Sequence, residues 1–330
     1  MRVVITGIAG FIGYHAARAL SAAGAKVVGV DAMTPYYDVR LKERRLAELA
    51  RAAPDVRVER LDVADAEAVA RLLAEVRPEA VLHLAAQAGV RHSIDAPFSY
   101  AHANVTGHLS VLEAVRHAPR RPRLVYASSS SVYGGNTAEL FRETDRVDDP
   151  VSLYAATKRA GELMGHAYAR LYGIDQTGLR FFTVYGPWGR PDMAYWRFTE
   201  AILAGRPIDV FNGGDMWRDF TYVDDVVSAL VALVLDPPPQ AGPIPHRIYN
   251  IGNNRPVRLS EFVATIEALV GRRAATRNLP MQPGDVYRTA ADVTRAHRDF
   301  GFTPRTDIRT GLKRFVDWYV SEWQAAEAAG

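Results

Sequence analysis

The sequence contains no cysteine, and none of its apolar stretches reaches the ~18 residues that mark a membrane-spanning helix. The lack of cysteine excludes disulfides, thiolate nucleophiles and cysteine-based metal sites. The lack of a long apolar run argues against a membrane partner. Basic residues form no stripe, because 40 Lys and Arg are interspersed with 37 Asp and Glu for a net charge of +3. We therefore expect no nucleic-acid partner.

The chain does have enough apolar material for a large core. Its 330 residues are 48% hydrophobic and 23% charged, which is typical of one large or two moderate soluble domains. The first residues, MRVVITGIAGFIG, place a basic residue before an apolar run, as a signal peptide does. Their glycines favour a first strand and a turn instead, so the expected location is cytoplasmic.

Short β-branched runs alternate with amphipathic patterns in the first half. The runs that predict strands are RVVIT, KVVGVD, VRVERLD, AVLHLA, RLVYAS and QTGLRFF. This alternation predicts an α/β fold of the Rossmann type, a doubly wound parallel sheet with helices on both faces. We expect residues 1–185 to form this dinucleotide-binding domain. Residues 186–330 are expected to form a smaller, mainly substrate-binding C-terminal domain, with helices near 194–204, 223–234, 260–270, 291–299 and 308–327 and some segments returning to the sheet.

A glycine-rich turn follows the first strand and opens the first helix. It reads Thr6-Gly7-Ile8-Ala9-Gly10-Phe11-Ile12-Gly13. Its glycines allow a tight turn and bring backbone N–H groups close to a pyrophosphate. Asp31 closes the second strand 18 residues after Gly13, where a carboxylate binds ribose hydroxyls and repels a 2′-phosphate. The pattern predicts NAD rather than NADP, with a plain glycine turn beside a solvent-facing Asp as the alternative.

Asp62 ends the next predicted strand. It is a candidate contact for the adenine amino group. Equally, it is placed to cap the helix that begins near Asp65.

Tyr154 and Lys158 lie four residues apart in SLYAATKRAGELM, on one face of a predicted helix. A nearby ammonium favours the phenolate of a tyrosine, whose ordinary pKa of about 10 makes it a poor base. Ser128 to Ser131 follow the strand RLVYA and are expected at the carboxyl edge of the sheet. Alone, such a pair is more often a boundary residue and a solvated charge, and four serines are often a polar loop. Together with the glycine turn they indicate reversible oxidation of an alcohol.

These three motifs together resemble the extended short-chain dehydrogenase/reductases, specifically the branch that modifies nucleotide sugars. The segments HLAAQAGVRHSIDAP at 83–97, LRFFTVYGPWGRPDMA at 179–194, RDFTYVDD at 218–225, YNIGN at 249–253 and MQPGDVYRTAAD at 281–292 are similar to the UDP-glucuronate 4-epimerases. The resemblance implies inversion of C4 of UDP-glucuronate to give UDP-galacturonate, through a transient 4-keto sugar and with tightly bound NAD.

The resemblance also implies roles for individual residues. Ser129 and Tyr154 are expected at O4 of the sugar, and Lys158 at the nicotinamide ribose. The expected cofactor site comprises Gly7, Gly10, Phe11, Ile12, Gly13, Asp31, Asp62, Val63, Leu84, Ala85, Ala86, Asn104, Ser128, Tyr154, Lys158 and Phe181. The expected substrate site comprises Arg91, Ser93, Ser129, Ser130, Thr183, Arg190, Arg218 and Asp285.

Several of these substrate residues have structural alternatives. Arg91 is equally placed for an ion pair, and Ser93 for capping the helix that follows it. Arg190 and Arg218 suit anionic oxygens or uracil, because a guanidinium is a fixed fork of donors. Either arginine could instead form a salt bridge between the domains.

Serines at 130 and 131 separate related reactions of this family. The dehydratases resemble a pattern with Asp and Glu immediately before VYG, and the UDP-glucuronate decarboxylases typically have Glu directly before VYG. Neutral hydroxyls cannot supply the acid and base that dehydration needs, and they also make decarboxylation less favoured. A 4-epimerase for UDP-glucose or another UDP-hexose is the main alternative, followed by a decarboxylase. A non-catalytic dinucleotide sensor would be expected to lose Tyr154 or Lys158.

Two further expectations concern partners and metals. The resemblance implies a homodimer built from helices around 98–118 and 153–172. His83, His92 and His102 do not recur at metal-ligand spacing and no carboxylate cluster accompanies them, so no metal is predicted.

Overall fold

The computed structural model describes residues 1–240, 242–281 and 286–326. Its strands are β1 (Arg2–Thr6), β2 (Lys26–Asp31), β3 (Arg57–Arg60), β4 (Ala80–His83), β5 (Arg123–Ser129), β6 (Gln176–Phe181), β7 (Thr183–Tyr185), β8 (Ile208–Phe211), β9 (Trp217–Arg218), β10 (Phe220–Tyr222), β11 (His246–Ile251), β12 (Val257–Arg258) and β13 (Thr276–Leu279).

The α-helices are α1 (Phe11–Ala22), α2 (Val39–Ala52), α3 (Ala66–Val76), α4 (His92–Asp95), α5 (Pro97–Tyr100), α6 (Gly107–His117), α7 (Leu153–Tyr172), α8 (Ala194–Leu203), α9 (Val223–Leu235), α10 (Leu259–Val270), α11 (Thr294–Phe300) and α12 (Ile308–Trp318). Two π-helical segments cover Ala101–Thr106 and Tyr319–Gln324. Short 3₁₀ turns cover Ser130–Tyr133 and Asn212–Gly214.

Seven of these strands form one parallel sheet in the order β3-β2-β1-β4-β5-β6-β11. The order runs outward from β1 in both directions, which is the doubly wound arrangement. The predicted fold class, an α/β fold of the Rossmann type, is therefore confirmed. β11 lies in this sheet although it follows residue 186, because it pairs along its whole length with β6.

Helices cover both faces of the sheet because its strands carry apolar side chains on both sides. Along β1, Val3 and Ile5 belong to one buried cluster with Leu20 of α1 and Leu230 of α9. Val4 points to the opposite face, where its cluster includes residues of α3 and α6 such as Leu73 and Val111. This alternation follows from the period of two in a strand. Because helices cover both faces of the sheet, its carboxyl edge is the side that remains open to a ligand.

The C-terminal elements form small strand pairs and an aromatic cluster. The pairs are β7 with β10, β8 with β13, and β9 with β12. Trp196 of α8 packs against Phe315, Trp318 and Trp323 at ring separations of 5.2–5.9 Å. The predicted helix at 291–299 begins later, at Thr294, whose N–H donates to Asp292 Oδ1. The proposed division after residue 185 stays a prediction. Among the helices of the described residues, none combines the length and the apolar character that a membrane span requires.

A fully buried arginine on α2 joins the two halves of the chain. Arg45 donates through Nε and Nη2 to the Trp188 carbonyl and through Nη2 to the Gly189 carbonyl. Its Nη1 donates to the Ala9 carbonyl in the glycine turn and to the Tyr37 hydroxyl. The guanidinium thereby fixes the glycine turn against the loop that follows β7.

Candidate active site

A cavity of about 520 Å³ opens at the carboxyl edge of the large sheet. This edge is where ligands bind in doubly wound folds. The cavity is lined by the segments that follow β1, β2, β3, β4, β5 and β6. The predicted residues that line it are Gly7, Gly10, Phe11, Ile12, Gly13, Asp31, Asp62, Val63, Leu84, Ala85, Ala86, Ser128, Ser129, Ser130, Tyr154, Lys158, Phe181, Thr183 and Arg190.

The glycine turn at one end of the cavity has no room for side chains. Gly7 has a φ of +74°, and a Cβ there would lie 2.7 Å from the Ala85 nitrogen. A Cβ on Gly13 would lie 2.1 Å from the Gly7 carbonyl oxygen. Gly10 caps α1 without a side-chain hydrogen bond, and no acidic residue lies in the first turn. The first N–H groups of the helix therefore remain available to an anion such as a diphosphate.

Asp31 is oriented by the backbone around it. Its Oδ2 accepts from the Ala9 N–H at 3.1 Å and its Oδ1 from the Met33 N–H at 2.8 Å. The Lys42 ammonium lies 3.6 Å from Oδ1 and also donates to the Thr34 hydroxyl. No motif in the sequence marked Lys42, and it offsets part of the negative charge that Asp31 presents to a ribose.

Asp62 does not cap the following helix. Asp65 does so, by accepting from the Ala68 N–H. Asp62 Oδ1 instead accepts from the Ala64 N–H, and its Oδ2 lies 2.9 Å from Nε2 of His102. Both Asp62 and His102 line the cavity, so an imidazole accompanies the carboxylate at this end.

Tyr154 and Ser129 meet at the inner part of the cavity. Ser152 caps α7 by accepting from the Ala155 N–H, which places Tyr154 in the first turn of the helix. Burial raises the pKa of Tyr154, while the nearby Ser129 hydroxyl and the positive charge of Arg190 act in the opposite direction. Ser129 Oγ is itself held by Ser131, whose N–H donates to it at 3.1 Å.

Lys158 lies one turn after Tyr154 and is buried. Its ammonium donates to the Ala127 carbonyl at 3.0 Å, and burial lowers its pKa to about 8. The sequence predicted that this ammonium would lower the pKa of Tyr154. In the structure the pKa of Tyr154 is raised, because burial outweighs the groups that stabilise its phenolate, and Lys158 is not among those groups.

The serine segment rests on a buried ion pair. Ser128 Oγ donates to Glu162 Oε1 at 2.7 Å. The same carboxylate accepts two hydrogen bonds from the Arg180 guanidinium at 2.8 and 2.9 Å. Removing either partner of a buried pair leaves an uncompensated charge, at a cost of about 3–5 kcal/mol. The pair joins α7 to β6, and the hydrogen bond from Ser128 attaches the end of β5 to the same carboxylate.

Among the described residues, four predicted site residues do not line the cavity, namely Asn104, Ser93, Arg91 and Arg218. Asn104 supports the loop beside it, because it accepts from the Gln87 N–H and donates to the Gln87 carbonyl and the Thr157 hydroxyl. Ser93 is buried and donates to the Val90 carbonyl at 2.6 Å. The Arg91 guanidinium lies 5.2 Å from the ring centre of Phe211.

Other predicted substrate residues belong to the part of the chain from β7 onward. Arg218 donates to the carbonyl oxygens of Trp217 and Tyr287, away from the cavity lining. Asp285 lies outside the described residues. Thr183 and Arg190 do line the cavity, as predicted.

Two tyrosines line or border the site without any motif to mark them. Tyr36, in the loop after β2, lines the cavity. Tyr100 donates to the carbonyls of Ala88 and Gly89, and its ring lies 6.0 Å from that of Tyr154. The sequence could have pointed to Tyr36 only through its position, since the pair Tyr36-Tyr37 follows the predicted cofactor residue Asp31 by five residues.

His83 and His102, two of the histidines considered as metal ligands, bind different partners. His102 contacts Asp62. His83 Nδ1 shares a hydrogen bond with the Thr6 hydroxyl at 2.7 Å. Within residues 1–240, 242–281 and 286–326, no three His, Asp or Glu side chains are grouped so that they could hold a metal ion.

Comparisons with known proteins agree with this geometry. The family model described as the NAD dependent epimerase/dehydratase family matches residues 3–252. The chain is 47% identical to Protein CapI of Staphylococcus aureus, covering 98% of this chain and all of the relative. It is 47% identical to a probable UDP-glucuronate 4-epimerase of Rhizobium meliloti, covering 99% of each chain. The crystal structure of the Bacillus cereus UDP-glucuronic acid 4-epimerase in complex with UDP-glucuronic acid and NAD is similar, with a TM-score of 0.88, 31% identity and coverage of 96% of this chain and 98% of that one.

Proposed function

The chain belongs to the NAD dependent epimerase/dehydratase family, and we propose that it is a 4-epimerase that interconverts UDP-glucuronate and UDP-galacturonate. The relatives that support this substrate match nearly the whole chain. The cofactor proposed is NAD, which is bound in the Bacillus cereus structure. In this chain the glycine turn, the open first turn of α1 and the carboxylate of Asp31 fit its diphosphate and ribose.

The observation that carries the proposal is that Ser129, Tyr154 and Lys158 line one cavity together with the glycine turn and Asp31. Tyr154 would take the proton from O4 of the sugar, and Ser129 would donate a hydrogen bond to the oxygen as it becomes a carbonyl. The glycine turn and Asp31 would hold NAD, which would supply reversible hydride transfer at C4. Tyr154 would then give its proton back to O4. The proton thus starts and ends on the sugar, and the protein needs no external redox partner.

This exchange requires the phenolate of Tyr154, because a neutral phenol cannot accept the proton of O4. Burial raises the pKa of Tyr154 and opposes the phenolate, whereas Ser129 and the positive charge of Arg190 favour it. The Lys158 pKa of about 8 keeps its amine mostly protonated at neutral pH. This ammonium would hold the nicotinamide ribose of bound NAD, which is the role that the sequence resemblance implies for Lys158.

The side chains beside Ser129 set the reaction apart from elimination. Ser130 and Ser131 also line the cavity, and neither hydroxyl is an acid or base at neutral pH. The elimination of water from a sugar needs both. The 4-keto sugar formed from UDP-glucuronate would be a β-keto acid, so the enzyme must also hold its carboxylate out of line with the carbonyl. Thr183, a predicted substrate residue that lines the cavity, would donate a hydrogen bond to this carboxylate.

Product analysis tests the proposal. We expect purified protein without added NAD to convert UDP-glucuronate to UDP-galacturonate at a near-unity ratio, as followed by NMR. The same assay with UDP-glucose is the control for a neutral sugar. Formation of UDP-xylose with release of CO₂, or turnover of UDP-glucose alone, would refute it.

The proposal extends to a homodimer built on α5, α6 and α7. Phe98, Leu109, Leu163 and Leu171 on these helices are exposed apolar side chains. Large exposed apolar groups clustered on neighbouring helices are typical of a protein interface. The cytoplasmic location stays a prediction.

Sedimentation tests the dimer. Leu163→Glu places a charge in the proposed interface, so we expect it to yield monomer where the unmodified protein sediments as a dimer. Val320→Glu introduces the same charge at another exposed position and is expected to leave the dimer intact. An unmodified protein that sediments as a monomer at micromolar concentration contradicts the proposal.

A further inference from the structure

Arg190, in the loop after β7, is held by an aspartate two residues later. Its Nε donates to Asp192 Oδ1 at 3.0 Å and its Nη2 donates to Asp192 Oδ2 at 2.5 Å. Such a two-point contact fixes the plane of the guanidinium as well as its position. It occupies one edge of the fork, and the Nη1 amino group has no carboxylate partner in the described part of the chain.

Tyr36 completes the arrangement from a distant part of the sequence. Its hydroxyl donates to Asp192 Oδ2 at 3.1 Å, and its ring centre lies 5.9 Å from the Arg190 guanidinium. Burial, together with the Asp192 charge, raises the pKa of Tyr36 to about 12. Its hydroxyl is therefore a proton donor throughout the neutral range, and Asp192 stays ionised because its pKa is lowered despite burial.

Arg190, Tyr36 and Asp192 differ in whether they line the cavity. Arg190 and Tyr36 line the cavity, whereas Asp192 does not. The charge of Arg190 reaches the reactive end of the cavity, because it is one of the groups that lower the pKa of Tyr154. Asp192 is thus placed to act on a ligand only through its two neighbours.

We propose that Asp192 and Tyr36 are positioning residues that hold the free edge of the Arg190 guanidinium toward an anionic oxygen of the substrate. This inference rests on the proposed function, since it assumes a substrate with anionic groups in this cavity. The oxygen belongs either to the sugar carboxylate or to the diphosphate, and both present the planar or forked acceptors that a guanidinium binds best.

The position of Tyr36 gives the arrangement a second consequence. Tyr36 follows Asp31 by five residues in one loop, and that loop is fixed at its start by the contacts of Asp31 with Met33 and Lys42. One segment therefore carries both the ribose-binding carboxylate and a support for the substrate-binding arginine. Correct placement of Arg190 depends on the order of that loop.

The test compares Asp192→Asn, Asp192→Glu and Tyr36→Phe with the unmodified protein. We expect Asp192→Asn to raise the KM for UDP-glucuronate about tenfold, a loss typical of a charge-assisted contact. Tyr36→Phe should raise it about threefold. The kcat should stay within about threefold, and Asp192→Glu should recover part of the loss because it keeps the charge. The content of bound NAD and the unfolding midpoint should be unchanged. If Asp192 and Tyr36 only stabilised the fold, their substitution would lower the unfolding midpoint.

Matched controls remove similar pairs elsewhere. Arg146 and Asp148 form an exposed pair at the same spacing, and Tyr287 donates to Asp215 on the surface. Asp148→Asn and Tyr287→Phe should leave the KM unchanged.

Calorimetric binding of UDP-glucuronate, UDP-glucose and UDP identifies the source of the anionic oxygen. Weaker binding of UDP-glucuronate alone in Asp192→Asn assigns the contact to the carboxylate. Weaker binding of all three ligands assigns it to the diphosphate. Unchanged or tighter binding of all three overturns the inference, since Asp192 would then be inert or a competitor for Arg190. The proposed function is tested separately with the unmodified protein, since absence of UDP-glucuronate turnover refutes that function. In that case the ratio of the affinities of variant and unmodified protein still tests whether Asp192 positions Arg190. If the unmodified protein binds none of the three ligands, both fail.

Discussion

Tyr154→Phe is expected to lower the turnover of UDP-glucuronate by a factor on the order of 10² or more, because it removes the proton carrier and keeps the ring. Tyr154 lines the cavity together with Ser129 and Lys158. The ring packs edge-on against Tyr100 at 6.0 Å, and phenylalanine keeps this packing. We therefore expect little change in the unfolding midpoint and an unchanged content of bound NAD.

The assay is NMR of the product from UDP-glucuronate at matched protein concentrations. Tyr168→Phe is the control, since it removes a hydroxyl from the same helix where it bonds to Glu113 rather than to the site. It should retain nearly full turnover. Activity of Tyr154→Phe within about tenfold of the unmodified protein would show that another group moves the proton.

Gly13→Ala is expected to abolish the retention of NAD. The new methyl would lie 2.1 Å from the Gly7 carbonyl oxygen and 3.0 Å from the Ile8 Cα. These are backbone atoms, so the turn itself must move, at a cost of about 1–3 kcal/mol. A displaced turn no longer aims the first N–H groups of α1 at a diphosphate. The purified variant should carry less than a tenth of the NAD that the unmodified protein carries.

Gly24→Ala is the matched control for this change. Gly24 has a φ of +82°, but a Cβ there meets no atom within 4 Å. The substitution strains the backbone by about 1–2 kcal/mol without reaching the cavity. It should lower the unfolding midpoint slightly and keep the NAD. Stoichiometric NAD in Gly13→Ala, with circular dichroism confirming that both variants are folded, would contradict the role given to the turn.

Local patterns sufficed for the sheet and for the parts of the site that sit at strand ends. The alternation of β-branched runs with helices fixes a doubly wound sheet, and a sheet of that kind brings the segments after its strands to one edge. Gly7, Asp31, Ser129 and Phe181 therefore converge on one cavity, although they are far apart in sequence. Their positions follow from topology rather than from side-chain detail.

Residues on the connecting loops were less predictable, because their orientation is set by contacts that no periodicity records. Asn104 was expected at the cofactor, yet its amide is used up by Gln87 and Thr157. Tyr36 went unmarked because its partner, Asp192, is 156 residues away. Lys158 was expected to lower the pKa of Tyr154, but its spacing from Tyr154 does not reveal the depth of burial that raises this pKa.

The buried Arg45 limits how freely this chain can be divided or recombined. A fragment that ends at residue 185 would lack the carbonyls of Trp188 and Gly189, which accept three of its hydrogen bonds. In such a fragment water would replace those acceptors, and the glycine turn would lose its link to the loop after β7. We therefore expect the glycine turn to be less well ordered in the fragment than in the whole chain. A chimera that exchanges the C-terminal half with that of a relative has to inherit a loop that offers the same two carbonyls.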